Sequence, residues 1–243
     1  MMTLFKHFLL WPLLLTGHFL AMCLLSWHLL AQINFAYPLG YQLLDIDQHI
    51  QRYAPENRYK SDFAQTTPAE HQQIFGQITQ AVQNHGQGLA DISYRLPDGS
   101  HTELMREPEV IHLQDVANLI DILYGTGQIG AILWLVLLAY ASQKKLALPS
   151  LKKILLGFLA VLTSIALMVL IIGPTKVFYW LHDQVFPDEH EWFFFYQDSL
   201  MTTLMKAPDL FGFISLLLIG AFILLWTLTL WGMVKGLHLR QTP

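Results

Sequence analysis

Four apolar runs constrain this chain more than any other feature: Phe8–Leu30, about Gly125–Ser142, Ile154–Ile172 and Leu210–Val234. Each is long enough to cross roughly 30 Å of hydrocarbon, which takes about 20 helical residues. Apolar residues make up 53% of the 243 positions and charged ones 13%, which excludes a single water-soluble globule. The second run is the weakest of the four, because Gly125, Gly127, Gln128 and Gly130 lower its hydrophobicity and its helix propensity together. Its end, AILWLVLLAY followed by SQKK, still reads as a span entering an interface.

Lysine and arginine placement orients the spans. Lys6 precedes the first, Lys144, Lys145, Lys152 and Lys153 crowd the short loop between the second and third, and Lys235 and Arg240 follow the fourth. By the positive-inside rule both termini are cytoplasmic. Segments 31–124 and 173–209 are then outside; they hold all 18 Asp and Glu against half of the 14 Lys and Arg. The first run exceeds the 7–15 residues of a signal-peptide core, so an uncleaved anchor is expected. The single cysteine, Cys23, lies within that run, where no internal disulfide is open to it and a structural role is expected.

The expected fold is therefore an α-helical integral membrane protein with four transmembrane helices and a small mixed α/β extracytoplasmic cap. Its parts are span one with the N-terminus (1–30), the cap (31–124), spans two and three with their basic loop (125–172), an interfacial shelf (173–209), and span four with a cytoplasmic tail (210–243).

Within the cap, YQLLDIDQHIQRY (41–53) places Leu43, Leu44, Ile46 and Ile50 near one helical face. Next, TTPAEHQQIFGQITQAVQNHG carries a helix start in Thr67, Pro68 and Glu70, an apolar stripe in Ile74, Ile78 and Val82, and a terminal glycine in Gly86. DISYRLPDGSHTELM (91–105) reads as a hairpin turning at Pro97-Asp98-Gly99. REPEVIHLQDVANLIDILYG restores helical spacing, with His112, Asp115, Val116 and Leu119 on one face, and runs straight into span two.

In the second outer segment, Trp180 and its aromatic neighbours suit headgroup depth, which makes His182 interfacial too. Asp198 is placed to cap a short helix, SLMTTLMKA, ended by Pro208. The stretch 178–207 reads as an amphipathic shelf on the outer leaflet.

The pairing of REPEVIHLQDV (106–116) before span two with HDQVFPDEHEWFFFYQDSL (182–200) before span four resembles the bacterial four-span membrane family that includes the lipoprotein intramolecular transacylase. The family pattern is an outer His-x-x-Asp-Val element and a later histidine element followed by Trp-x-Phe and an Asp-Ser-Leu helix start. This chain departs from it at Leu113, Ala117 and Val185. The resemblance implies an acyl shift. One ester-linked chain of a diacylated bacterial lipoprotein moves to the α-amino group of its own N-terminal cysteine, giving a lyso-form. It also implies His112 and His182 as the catalytic pair, no cofactor, and a cytoplasmic membrane location with the site facing outward.

The chemistry independently wants such groups. Attack on an ester needs a neutral amine, and a free α-amino group has a pKa of about 8, so a base titrating near neutrality helps. The departing alkoxide needs a proton, and the oxyanion needs donors in a poorly solvated site. Because nucleophile and ester belong to one molecule, no covalent acyl carrier is required; positioning is the main task.

Other residues admit two readings. Asp115, one turn from His112, suits orienting a ring nitrogen or binding the lipoprotein's amine, or is a solvated acid. Arg106 suits a lipid headgroup or peptide carbonyl, or a surface ion pair. Trp192 and its neighbours suit an acyl-chain entry or simple anchoring. Asp198 reads as a helix cap before a catalytic acid. His190 reads as a substrate-edge or surface residue, since its acidic neighbourhood matches no zinc spacing and no metal is expected. His18 is suited to a hydrogen bond across helices, and His28 to headgroup depth. No nucleic-acid partner is expected. The alternative function is a non-catalytic membrane scaffold or assembly factor binding a protein at the outer surface. A transporter is disfavoured because spans three and four carry no ionisable residue in their apolar cores.

Overall fold

The computed structural model describes residues 9–239, so Lys6 and Arg240 of the charge argument lie outside the described residues. Its regular elements, in chain order, are α1 (Trp11–Ala31), α2 (Tyr37–Leu43), α3 (Ile46–Tyr53), α4 (Pro68–Gln83), β1 (Ser93–Arg95), β2 (His101–Glu103), α5 (Glu107–Gln143), α6 (Leu151–Ile172), α7 (Pro174–Val185), α8 (Leu200–Met205) and α9 (Asp209–Leu239). Four of them, α1, α5, α6 and α9, are long and apolar enough to cross a membrane, as the four runs predict. The chain forms two compact units. Of the described residues, one holds 9–26, 123–184 and 220–239, and the other Trp27–Ile122 and Val185–Ile219.

In the first unit the weak second span proves helical throughout, and its glycines explain why. A Cβ on Gly130 would fall 2.6 Å from the Leu20 Cβ, one on Gly127 would fall 2.6 Å from the Leu24 Cβ, and one on Gly17 would meet the Gly130 carbonyl oxygen at 2.8 Å. Helices α1 and α5 thus approach backbone to backbone over small residues, the packing available where lipid supplies no hydrophobic drive between helices. Gly125, by contrast, faces open space. The bundle core adds Leu14, Met22, Leu230 and Met233. His18, fully buried, makes the expected cross-helix bond, its Nε2 lying 2.7 Å from Thr229 Oγ1. Helix α7 belongs to this unit and buries none of its residues.

The second unit packs short helices around aromatic rings. Tyr37 stacks on Phe75 at 4.0 Å, and Phe63 meets Tyr94 edge-on at 5.1 Å. The predicted single helix over 41–53 is in fact two, broken at Asp45 with φ of 50°. Ile46 and Ile50 are buried as expected, but Leu43 is exposed and His49 takes an inward position. Periodicity registers apolar spacing but not a left-handed residue that turns the chain between two turns of helix.

Thr67 caps α4, its Oγ1 accepting from Glu70 N at 3.3 Å, and Ile74, Ile78 and Val82 are buried. The Glu70 carboxylate does not close the capping box; it accepts from Arg95 N at 2.8 Å and so ties α4 to the hairpin. Gly86 ends the segment at φ +77°, against Gln114, where a side chain would be excluded. The hairpin forms with Tyr94 opposite Thr102. The short helix after 198 starts one residue later than predicted, with Ser199 Oγ accepting from Thr202 N at 2.9 Å. Nor is it a surface shelf: Leu200, Met201, Thr203, Leu204 and Met205 are all buried.

His71 anchors this unit's polar core and is fully buried. Thr66 Oγ1 donates to Phe63 O and lies 2.7 Å from His71 Nε2, while His71 Nδ1 lies 2.7 Å from Tyr41 Oη, which itself donates to Asp47 Oδ1 at 2.9 Å. Burial holds its pKa down at about 4, and His49 likewise at about 4 through burial and then Lys206. The unfolded chain therefore takes up protons below about 6.5 that the folded chain refuses, so stability is complete above that pH and falls as pH drops toward 4. His71→Gln should flatten the fall between pH 6.5 and 4.5 by about 1.4 kcal/mol per pH unit, read from denaturation midpoints. In the bundle, Gly130→Ala should lower the thermal midpoint in detergent, at a cost of about 1–3 kcal/mol, while Gly125→Ala should leave it unchanged or raise it.

Candidate functional site

The predicted site residues fall in both units. His112, Asp115, Arg106, Trp192 and Asp198 lie in the second and His182 in the first. His112 projects from the N-terminal part of α5, where Leu113, Ala117 and Ile120 form the buried stripe and His112, Asp115 and Val116 the half-buried edge beside it. The periodic face read from the sequence is thus offset by one residue from the one that packs.

Two phenylalanines enclose His112. The rings of Phe186 and Phe194 lie 4.9 and 5.9 Å from its imidazole, and Phe194 is itself buried. Both come from the non-helical stretch 186–199, which also sends His190 to Asp115: His190 Nδ1 lies 2.6 Å from Asp115 Oδ2. Asp115 is thus engaged by a histidine other than the one that sequence spacing placed beside it. Trp192 is half-buried, edge-on to Phe193 at 6.2 Å. His182, on α7, directs Nδ1 at the Phe178 carbonyl oxygen one turn earlier, at 2.8 Å, with its ring 4.0 Å from that of Phe178. A neutral ring held this way donates from Nδ1 and keeps Nε2 as the acceptor.

The polar anchor of the 186–199 stretch is one that the sequence reading passed over. Glu109 is 1% exposed and accepts from Ser199 Oγ at 2.6 Å, Met201 N at 3.3 Å and Arg106 N at 2.9 Å. The signal was present: Glu109 stands three residues into the helix from Arg106, where a carboxylate accepts the N-cap N–H. Arg106 leans on the same carboxylate at 3.5 Å and lies 4.6 Å over the Tyr59 ring, so it is a partly buried ion-pair member. Asp198, predicted to cap the following helix, instead accepts from Arg58 Nη1 at 2.9 Å. Ser199 is close enough in sequence and chemistry to take the cap role.

Four helices, each long and apolar enough to cross a bilayer, define a polytopic membrane protein, and one of them carries a histidine in an aromatic enclosure. The chain belongs to the lipoprotein intramolecular transacylase Lit family, whose model matches residues 13–207. It is similar in fold to the in meso structure of the membrane integral lipoprotein intramolecular transacylase Lit from Bacillus cereus, a variant with one histidine-to-arginine mutation. The match covers 95% of this chain and 93% of that one, with a TM-score of 0.61 and 18% identity. No curated protein matches the chain.

Removal of the Glu109 carboxylate strands three donors in a buried place. Glu109→Ala should cost about 2–5 kcal/mol, read as a drop in thermal midpoint and faster proteolysis. Asp198→Ala breaks a pair whose arginine is largely exposed and should cost under about 1 kcal/mol.

Proposed function

We propose that this chain transfers an ester-linked acyl chain from the diacylglyceryl group of a lipoprotein to the α-amino group of that lipoprotein's N-terminal cysteine, giving the lyso-form. The observation that carries the reading is the family match over residues 13–207. His112 and His182 act as general acid and base. The Phe186 and Phe194 rings around His112 support this, because an apolar wall strengthens the interaction of an imidazole with a developing charge.

The amine nitrogen attacks the ester carbonyl carbon and a C–N bond forms. The tetrahedral intermediate then expels the glyceryl oxygen, breaking the C–O bond, and a histidine returns a proton to that oxygen. No covalent acyl-enzyme is formed, since the nucleophile arrives with the substrate. Trp192 lines the acyl chain's path, Asp115 serves the amine end, and Arg106 and Asp198 hold the surrounding backbone. The protein sits in the cytoplasmic membrane with both termini inside and the site outward, as its lysine placement supports.

The test is incubation of the purified protein with a diacylated N-terminal lipopeptide. The shift leaves mass unchanged, so fragmentation must place the acyl chain on nitrogen. His112→Ala and His182→Ala should each slow the reaction by about 10²–10⁴-fold while the protein stays folded. A competent substrate left untouched by the wild type would contradict the reading.

A further inference from the structure

His190 has no role in the scheme above, yet its contact with Asp115 has the geometry of a proton acceptor. The two residues are 75 positions apart and meet at 2.6 Å through His190 Nδ1 and Asp115 Oδ2. A carboxylate at Nδ1 fixes the tautomer with hydrogen on that nitrogen, which leaves the Nε2 lone pair on the far side of the ring. The Asp115 side chain is 14% exposed whereas that of His190 is 36% exposed, so the acid is sheltered while the imidazole remains reachable. The pair also stands beside His112: Asp115 lies on the same helix one turn along, and Phe186 and Phe194, which flank His190 in sequence, both touch the His112 ring.

The acyl shift releases a proton that two histidines exchanging one proton do not remove. An α-ammonium group carries one proton more than its amine, and the amide product has one fewer again. One of these two protons ends on the glyceryl oxygen, and the other must leave the site. We propose that His190, held by Asp115, takes the first of them, accepting at Nε2 the proton of the substrate's α-ammonium group so that the neutral amine attacks. This rests on the transacylase reading. The proton passes from His190 to solvent through its exposed edge, while His112 and His182 carry the second from nitrogen to the departing oxygen. Asp115 is the titratable group facing His190 from α5, and Asp188, Glu189 and Glu191 flank it on its own segment. All four are acids, which favour a cation arriving at this edge.

The discriminating variable is pH, because a substrate amine with a pKa of about 8 needs no base once it is already neutral. Turnover of the diacylated lipopeptide by the full-length wild type, His190→Gln and Asp115→Asn is measured at pH 6.5 and 9.0, against a protein-free control. At pH 6.5, where only about 3% of such an amine is neutral, His190→Gln should be slower than wild type by up to roughly 30-fold; at pH 9.0 the deficit should shrink by about tenfold or more. Asp115→Asn should show the same convergence at smaller size. A deficit that fails to shrink, as loosening of the 186–199 segment would give, overturns the proposal, as does wild-type activity in His190→Gln at pH 6.5. A wild type inactive at both pH values overturns the transacylase reading instead.

Discussion

A peptide group entering hydrocarbon must bring its hydrogen-bond partner with it, because lipid supplies none. That constraint makes helices of all four apolar runs and determines what can join them. Since lipid tails are as apolar as the side chains they surround, the helices of the bundle gain by close approach, and Gly17, Gly127 and Gly130 allow α1 and α5 to come together at backbone distance. The same glycines that make the second span look weak as a helix make it strong as a partner. His18 adds the one kind of polar contact such an interior tolerates, a bond closed by Thr229 on another helix.

Away from the bundle a different economy holds. Helices as short as α2, α3 and α8 have little stability alone and persist through what they bury. Their core is aromatic and is stitched by buried polar groups, His71 between Tyr41 and Thr66, and Glu109 beneath Ser199 and Met201. The stretch 186–199 has no ladder of its own and is held by a backbone bond, Arg58 N to Gln197 O at 2.9 Å, and by side chains: Phe186 and Phe194 on His112, His190 on Asp115, Asp198 on Arg58, and Ser199 on Glu109. These tie points link segments far apart in the chain, and two of them, Phe186 and Phe194, lie against the histidine that the proposed chemistry uses.

The sequence showed what local rules govern. The four spans, the Thr67-Pro68 helix start, the Pro97-Asp98-Gly99 hairpin and the His112 helix feeding into span two are all present, because each is written in residues within one or two turns of one another. The break at Asp45 was hidden, since apolar spacing continues across it. Ser199 takes the cap expected of Asp198 because either residue type caps a helix, and the distant partners Arg58 and Glu109 hold the two apart. The His190–Asp115 contact spans 75 positions and leaves no periodic trace. His112 and His182 are legible through motif resemblance, and Glu109 only through its N3 position beside the more conspicuous Arg106.

The central claim is that the substrate supplies its own nucleophile, so that the protein contributes geometry and proton transfer and never carries the acyl group. The most direct measurement is a crossover experiment. Two diacylated lipopeptides, one with isotopically heavy acyl chains on a light peptide and the other with light chains on a heavy peptide, are mixed with the purified protein. Fragmentation of the products then locates each N-linked chain. The account predicts that every heavy chain on nitrogen remains with the light peptide it arrived on, and every light chain with its heavy one. Scrambled products would show that the acyl group leaves its parent molecule and would contradict the account.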